Sequence, residues 1–130
     1  MSRIYLASFF DTRERLSPIR DSLRGMGHEV TSRWLDEASD VTVETSNAVY
    51  RRACAIRGLE DIKRSNVFIL DTLDSAPRGG REVEWGVALT RLEMQRFIVG
   101  PLRNVFHSLA SHRFEAWEEA LGWFQRTSES

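Results

Sequence analysis

The chain has 130 residues, 42% of them apolar and 28% charged, which are the proportions of an ordinary globular protein, and that length fits a single domain over residues 1–130. The formal net charge is −1 with both signs interspersed, so the basic face of a nucleic-acid polymer binder is missing, while a single nucleotide stays compatible. No apolar run approaches the ~18 residues that cross a bilayer, and a strand pattern begins almost at the N-terminus without the regions of a signal peptide, so a cytoplasmic protein with no membrane partner is expected.

Ile4-Tyr5-Leu6-Ala7 reads as a buried first strand, followed by a loop over residues 8–12. A helical pattern covers residues 13–26. Ser17-Pro18 inside it looks like an N-cap with proline at the first helical position, which places the start of the regular helix there. Gly25 and Gly27 supply its stop.

Residues 28–33 (HEVTSR) read as a second strand, and residues 34–46 as an acidic, irregular segment. Between residues 47 and 64, Val49, Ala53, Ile56, Leu59 and Ile62 recur every three or four positions, the spacing of a helix. Cys54 lies in that pattern among arginines; a lone cysteine makes no internal disulfide and is expected to be an inert thiol. Val67-Phe68-Ile69-Leu70 is the clearest buried strand and ends at Asp71.

After a loop with Pro77, Gly79 and Gly80, residues 82–95 read as helix, and Phe97-Ile98-Val99 as a strand stopped by Gly100-Pro101. Phe114 marks a last small strand, and residues 115–126 an amphipathic helix carrying Trp117, Ala120, Leu121 and Phe124. Strands alternating with helices argue for an α/β fold with a parallel sheet covered on both faces. Ligands of such sheets bind beyond the carboxyl ends of the strands, which directs attention to residues 8–13, 71–81 and 100–107.

The richest of these loops is RGGREVEWG, residues 78–86. Arg78-Gly79-Gly80-Arg81 feeds a helix start, where unpaired N–H groups and the helix dipole favour an anion and glycine lets it come close. The spacing is neither a P-loop nor GxGxxG. Glu82 and Glu84 are two positions apart, about 200° on a helix, so only one can face a given ligand; periodicity leaves open which one. Asp71 and Asp74 emerge at the same sheet edge. His28, His107, His112 and Cys54 show no metal-ligand spacing, so no metal is assigned.

Taken together, IYLASFF, VTSRWL, LEDIKRSNVFILDT, GGREVEWGVAL and VGPLRNVFHSL occur in the order and at about the spacing of the nucleoside 2-deoxyribosyltransferase family, which includes the deoxynucleoside 5'-monophosphate N-glycosidases. The resemblance covers most of residues 3–125 and is strongest to small, phage-type members. It implies a flavodoxin-like three-layer sandwich with a central parallel sheet of about five strands, and cleavage of the bond between a sugar and its base without a cofactor. In that family the nucleophile lies in a pattern of Glu, an apolar residue and Gly at a helix start; here this is Glu84-Trp85-Gly86. The resemblance, rather than periodicity, therefore selects Glu84 over Glu82.

By the same resemblance Tyr5, Ser8 and Phe9 line the sugar and base pocket, and Gly79 and Gly80 lie near the 5' end of the sugar. Arg13, Arg78 and Arg81 would then face a 5'-phosphate, and Asp71 or Asp74 would give the departing base its proton. The family implies a homodimer or higher homo-oligomer in which one subunit completes its neighbour's site; Asn104, Phe106 and His107 are the candidates for that contribution. One departure stands out: where members carry an Asp before the Leu-Glu pair of the second helix, this chain has Gly58 followed by Leu59 and Glu60. Glu60 or Asp61 would replace it only with a rotated helix. The alternative to an enzyme is a non-catalytic nucleotide-binding module that kept the fold and lost this sugar contact.

Overall fold

A computed structural model of the chain describes residues 1–36, 47–75 and 79–128. Five strands, β1 (Arg3–Ala7), β2 (Glu29–Val30), β3 (Val67–Asp71), β4 (Gln95–Val99) and β5 (His112–Phe114), form one sheet in the order β2-β1-β3-β4-β5. Every neighbouring pair is parallel. Four α-helices, α1 (Arg13–Gly25), α2 (Ala48–Lys63), α3 (Gly80–Leu89) and α4 (Trp117–Ser128), cover the two faces.

The period of two along each strand decides which layer a side chain joins. Ile4, Leu6, Val67, Ile69, Phe97 and Val99 point to one side and pack with α1 and α4 through Leu16, Leu23, Trp117 and Phe124. Tyr5, Ala7, Phe68, Leu70 and Ile98 point to the other and meet Ile62 of α2 and Trp85 and Ala88 of α3. The result is the flavodoxin-like three-layer sandwich. Its strand order reverses direction at β1, so the chain leaves β1 and β3 toward opposite faces, and beyond their carboxyl ends is where a fold of this kind has its ligand crevice.

Several boundaries differ from the sequence reading. Helix α1 begins at Arg13, with Pro18 inside it. The ring removes one N–H from the ladder at the exposed Glu14 carbonyl, where water can serve, and the Ser17 hydroxyl donates to the Arg13 carbonyl at 2.8 Å. Strand β2 is only two residues long because Ser32 turns its side chain into the ladder: its Oγ accepts the Leu6 N–H at 2.6 Å, and Arg33–Leu35 then form a 3₁₀ helix. Residues 37–46 of the expected irregular segment, like Pro77 and Arg78, lie outside the described residues.

Helix α3 stops at Leu89 rather than at residue 95. The Arg96 guanidinium closes its end by donating to the Ala88, Arg91 and Met94 carbonyls at 2.9–3.3 Å, which frees Gln95 to start β4. The apolar stripe of α2 is the larger surprise. Ile62 is buried, but Val49, Ile56 and Leu59 are 81%, 46% and 44% exposed, so most of the stripe faces outward. Among the described residues no helix is long and apolar enough to cross a membrane, and no group of three or more His, Cys, Asp or Glu is placed to hold a metal.

Candidate active site

Tyr5 is the residue of β1 that points toward α2 and α3 just before the strand ends, and it is 1% exposed. Its ring stacks on Phe68 of β3 at 5.5 Å, and Phe68 in turn meets Trp85 of α3 at 5.9 Å. This aromatic row fixes α3 against the sheet. Trp85 Nε1 donates to the Phe106 carbonyl at 3.0 Å, so the row also ties down the loop after β4.

Helix α3 starts abruptly. Gly79 is left-handed, with φ of 74°, a conformation that costs other residues a Cβ clash, and its carbonyl accepts the Glu82 and Val83 N–H groups. The turn presents the helix N-terminus to the crevice. One turn along, Glu84 swings back over the sheet, and the Tyr5 hydroxyl donates to its Oε2.

The third wall is α2. Gly58 lies so close that a Cβ there would sit 3.0 Å from Glu84 Oε2 and 3.4 Å from the Tyr5 hydroxyl. Burial raises the Glu84 carboxyl from its ordinary 4.5 to about 7, opposed by the hydrogen bond from Tyr5 and reinforced by the negative charge of Asp61. Burial and the adjacent Glu84 raise Tyr5 well above the usual phenol range, so it stays a donor. The pair is a carboxyl poised near neutrality with one oxygen held by a phenol.

The other expected residues fall into separate groups. Asp71 is fully buried: Oδ2 accepts from Arg15 Nη1 at 2.8 Å and Trp117 Nε1 at 2.7 Å, and Oδ1 accepts the Leu73 N–H at 2.9 Å. Asp74 is half exposed and pairs with Arg15 Nη2 at 2.8 Å. Arg81 points inward, 5% exposed, and donates to the Asp71 and Asp74 carbonyls at 3.0 and 2.7 Å, bracing the loop after β3. Burial lowers its pKa. Ser8 is buried with its Oγ 2.8 Å from Thr12 Oγ1, the Phe9 carbonyl accepts from Thr12, and Arg13 opens α1 at the same edge of the sheet. Arg78 lies outside the described residues.

Asp61 is held in place rather than turned toward the crevice. It is 1% exposed; Oδ1 accepts from Arg33 Nε at 2.7 Å and Arg64 Nη2 at 2.9 Å, and Oδ2 accepts the Arg33 N–H at 3.0 Å. Asn104 caps a 3₁₀ helix (Val105–Leu109) and donates to Glu82 Oε1 at 2.9 Å within the same chain.

Glu82, which the sequence reading set aside, has a definite task. His107 is fully buried, and its Nδ1 accepts the Arg103 N–H at 3.0 Å, so the proton sits on Nε2 and is donated to Glu82 Oε1 at 2.5 Å. Glu82, Asn104 and His107 therefore latch the loop after β4 onto the start of α3. Nothing local in the sequence announces this link across 25 residues, or the 46-residue link from Trp117 to Asp71.

No protein-family model and no curated protein matches the sequence. Solved structures that share the fold include two enzymes. A 2-deoxyribosyltransferase from Bacillus psychrosaccharolyticus superposes with a TM-score of 0.73 at 23% identity, over 97% of this chain and 95% of that one. A CMP N-glycosidase from Clostridium botulinum superposes with a TM-score of 0.59 at 15% identity, over 95% of this chain and 98% of that one.

Proposed function

We propose that this protein is an enzyme of the nucleoside 2-deoxyribosyltransferase kind, cleaving the N-glycosidic bond of a nucleoside or nucleoside 5'-monophosphate with Glu84 as nucleophile. The observation that carries the reading is the Tyr5–Glu84 pair: a carboxyl near neutrality, with one oxygen fixed by a phenol, at the crevice where this fold binds ligands. The names of the two structures that share the fold, one a transferase of deoxyribose and one a nucleotide N-glycosidase, support the same chemistry.

In this scheme the free Oε1 of ionised Glu84 forms a bond to the anomeric carbon while the C–N bond breaks and its electron pair leaves with the base. The glycosyl ester is then opened by water, giving the free sugar, or by a second base, giving transfer. Tyr5 keeps the carboxylate oriented and spreads its charge through the attack. No step calls for a cofactor.

A 5'-phosphate fits the N-terminus of α3, where Gly79 and Gly80 open the approach and the helix dipole favours an anion. Since Arg81 is turned into the protein, backbone N–H groups and Arg13 are the better assignment for that contact. Asp71, with both oxygens occupied, takes a structural role. The departing base takes its proton from water, and Asp74 at the rim, in its ion pair with Arg15, is the aspartate left to orient that water. The outward stripe of Val49, Ile56 and Leu59 is the surface a second copy would cover in a homo-oligomer.

The test is incubation with a panel of nucleosides and their 5'-monophosphates, with free base followed by chromatography. Base release that disappears in Glu84→Gln is expected. Tight nucleotide binding with no release would instead mark a non-catalytic binding module.

A further inference from the structure

Helix α2 grips the rest of the chain near its C-terminal end. No residue of α2 before Asp61 is buried. Asp61 and Ile62 are buried, the first anchored by Arg33 and Arg64 and the second packed in the apolar layer shared with α3. Gly58 lies three and four positions before them, on the same face of the helix. Glycine is disfavoured relative to alanine in a helix interior, and no positive φ calls for it here. What the missing side chain permits is close packing: a Cβ at Gly58 would lie 3.0 Å from Glu84 Oε2 and 3.4 Å from the Tyr5 hydroxyl. Apart from the helix backbone and the chain neighbours of Gly58, no other atom of the described residues comes within 4 Å of that point. The backbone of α2 is therefore packed against both ends of the Tyr5–Glu84 hydrogen bond.

A methyl group at that point forces a displacement, because carbon and oxygen in contact stand about 3.3–3.6 Å apart. Either α2 or Glu84 must yield. Moving α2 shifts backbone one turn from its anchor at Asp61, whereas moving Glu84 turns only the end of a side chain with rotatable bonds. The carboxyl yields first, and Oε2 loses its alignment with the Tyr5 hydroxyl as it backs away. Glycine keeps that oxygen seated.

We propose that Gly58 is a positioning residue for the attack: its bare backbone seats Glu84 Oε2 against the Tyr5 hydroxyl and leaves Oε1 as the oxygen that reaches the sugar. This rests on the N-glycosidic reading above. The seat has an electrostatic consequence of definite sign. Burial raises the Glu84 carboxyl, the hydrogen bond from Tyr5 of β1 opposes the rise, and the charge of Asp61 on α2 adds to it. Asp61 is itself held by Arg33 and Arg64, and the charged residues at the start of α3 face elsewhere, Arg81 to the Asp71 and Asp74 carbonyls and Glu82 to His107. A methyl that loosens the Tyr5 bond and adds apolar cover therefore pushes the Glu84 carboxyl further up.

The experiment measures Gly58→Ala, Tyr5→Phe and the double variant in two ways. The first needs no activity: the urea-unfolding difference between each protein and its Glu84→Gln counterpart is followed from about pH 4.5 to about pH 9. That difference should stop growing near pH 7 in wild type and about one pH unit higher in Gly58→Ala. With Tyr5→Phe already present, Gly58→Ala should add little, since the bond it acts through is gone. The second is the pH profile of kcat/KM for base release from a nucleoside 5'-monophosphate. Its acidic limb should move up by about one pH unit in Gly58→Ala, cutting activity at pH 6 about tenfold, while KM above the limb stays as in wild type. A plateau and limb that Gly58→Ala leaves in place or moves down, or an effect equally large without the Tyr5 hydroxyl, would overturn the seat and leave the N-glycosidic reading standing. Loss of the folded circular dichroism signal in Gly58→Ala would overturn it too, since the carboxyl has to yield before α2 does. Absence of base release from every nucleotide in wild type would remove the N-glycosidic reading, and the role of Gly58 in the attack with it, whatever the unfolding shows.

Discussion

Replacing Glu84 with Gln keeps the shape of the side chain and its ability to accept the Tyr5 hydroxyl, and removes the charge. In the folded protein burial lifts the Glu84 carboxyl from 4.5 to about 7, so the native state holds this proton more tightly than the unfolded chain. By linkage, the stability Glu84 contributes is complete below about pH 4.5 and is lost as pH rises through about 7. Each pH unit in that interval corresponds to about 1.4 kcal/mol, which sets a ceiling of about 3 kcal/mol by pH 8. Gln does not titrate. Glu84→Gln should therefore match wild type near pH 4.5 and be more stable by about 2–3 kcal/mol at pH 8.

For a chain of this size that difference raises the melting temperature by roughly 10 °C. Urea unfolding of both proteins at several values between pH 4.5 and 8 measures it directly, because the titrations of all other groups cancel in the difference. A difference independent of pH, or one that turns toward wild type as pH rises, would refute the reasoning. The first result would mean that Glu84 ionises in the ordinary carboxylate range, and the second that it ionises below that range.

Three further outcomes are expected. Tyr5→Phe removes the hydrogen bond that holds the Glu84 pKa down, so the acidic limb of the pH profile of kcat/KM should move above its wild-type position near 7, and activity at pH 6 should fall by roughly ten- to a hundredfold; an unmoved limb would separate the phenol from the carboxyl. Asp71→Asn takes the charge from a buried acceptor of Arg15, Trp117 and the Leu73 N–H and should cost about 2–4 kcal/mol in denaturant unfolding, whereas a cost under about 0.5 kcal/mol would contradict its structural assignment. Glu82→Ala releases His107 and Asn104 together and should increase amide exchange selectively across residues 103–109, with unchanged protection there counting against the latch.

The architecture was legible because it rests on local periodicity. Val67 to Leu70 and Phe97 to Val99 are continuous apolar runs, as strands buried on both faces must be, and they alternate with helical spacing. Element ends were less legible where side chains from elsewhere set them. Arg96 closes α3 from the next strand, and Ser32 ends β2 by bonding Leu6 of its neighbour. Periodicity also marked the stripe of Val49, Ile56 and Leu59 without showing that it faces outward, since both a core and an interface produce the same spacing.

The site divides in the same way. The glycine pair and the glutamates at a helix start are adjacent in sequence, so a ligand-facing loop could be read there. Choosing Glu84 over Glu82 required the family resemblance. The structure adds the physical difference: Glu84 meets Tyr5 from β1, while Glu82 meets His107 from the loop after β4. Asp71 looked available at a strand end because Arg15 and Trp117, its partners, lie 56 and 46 residues away. Gly58 could be recognised as a departure, but its contact with Glu84 is tertiary and was not readable from the chain.

The measurement that bears most directly on the account is covalent trapping at Glu84. A nucleotide with an electron-withdrawing fluorine at the sugar 2' position slows opening of the ester, so rapid acid quenching and peptide mass spectrometry can catch the glycosyl-enzyme. The account predicts a mass gain of one fluorinated sugar phosphate on the peptide containing Glu84, and none in Glu84→Gln. An adduct on any other residue, or base release with inversion at C1' and no adduct, would contradict it.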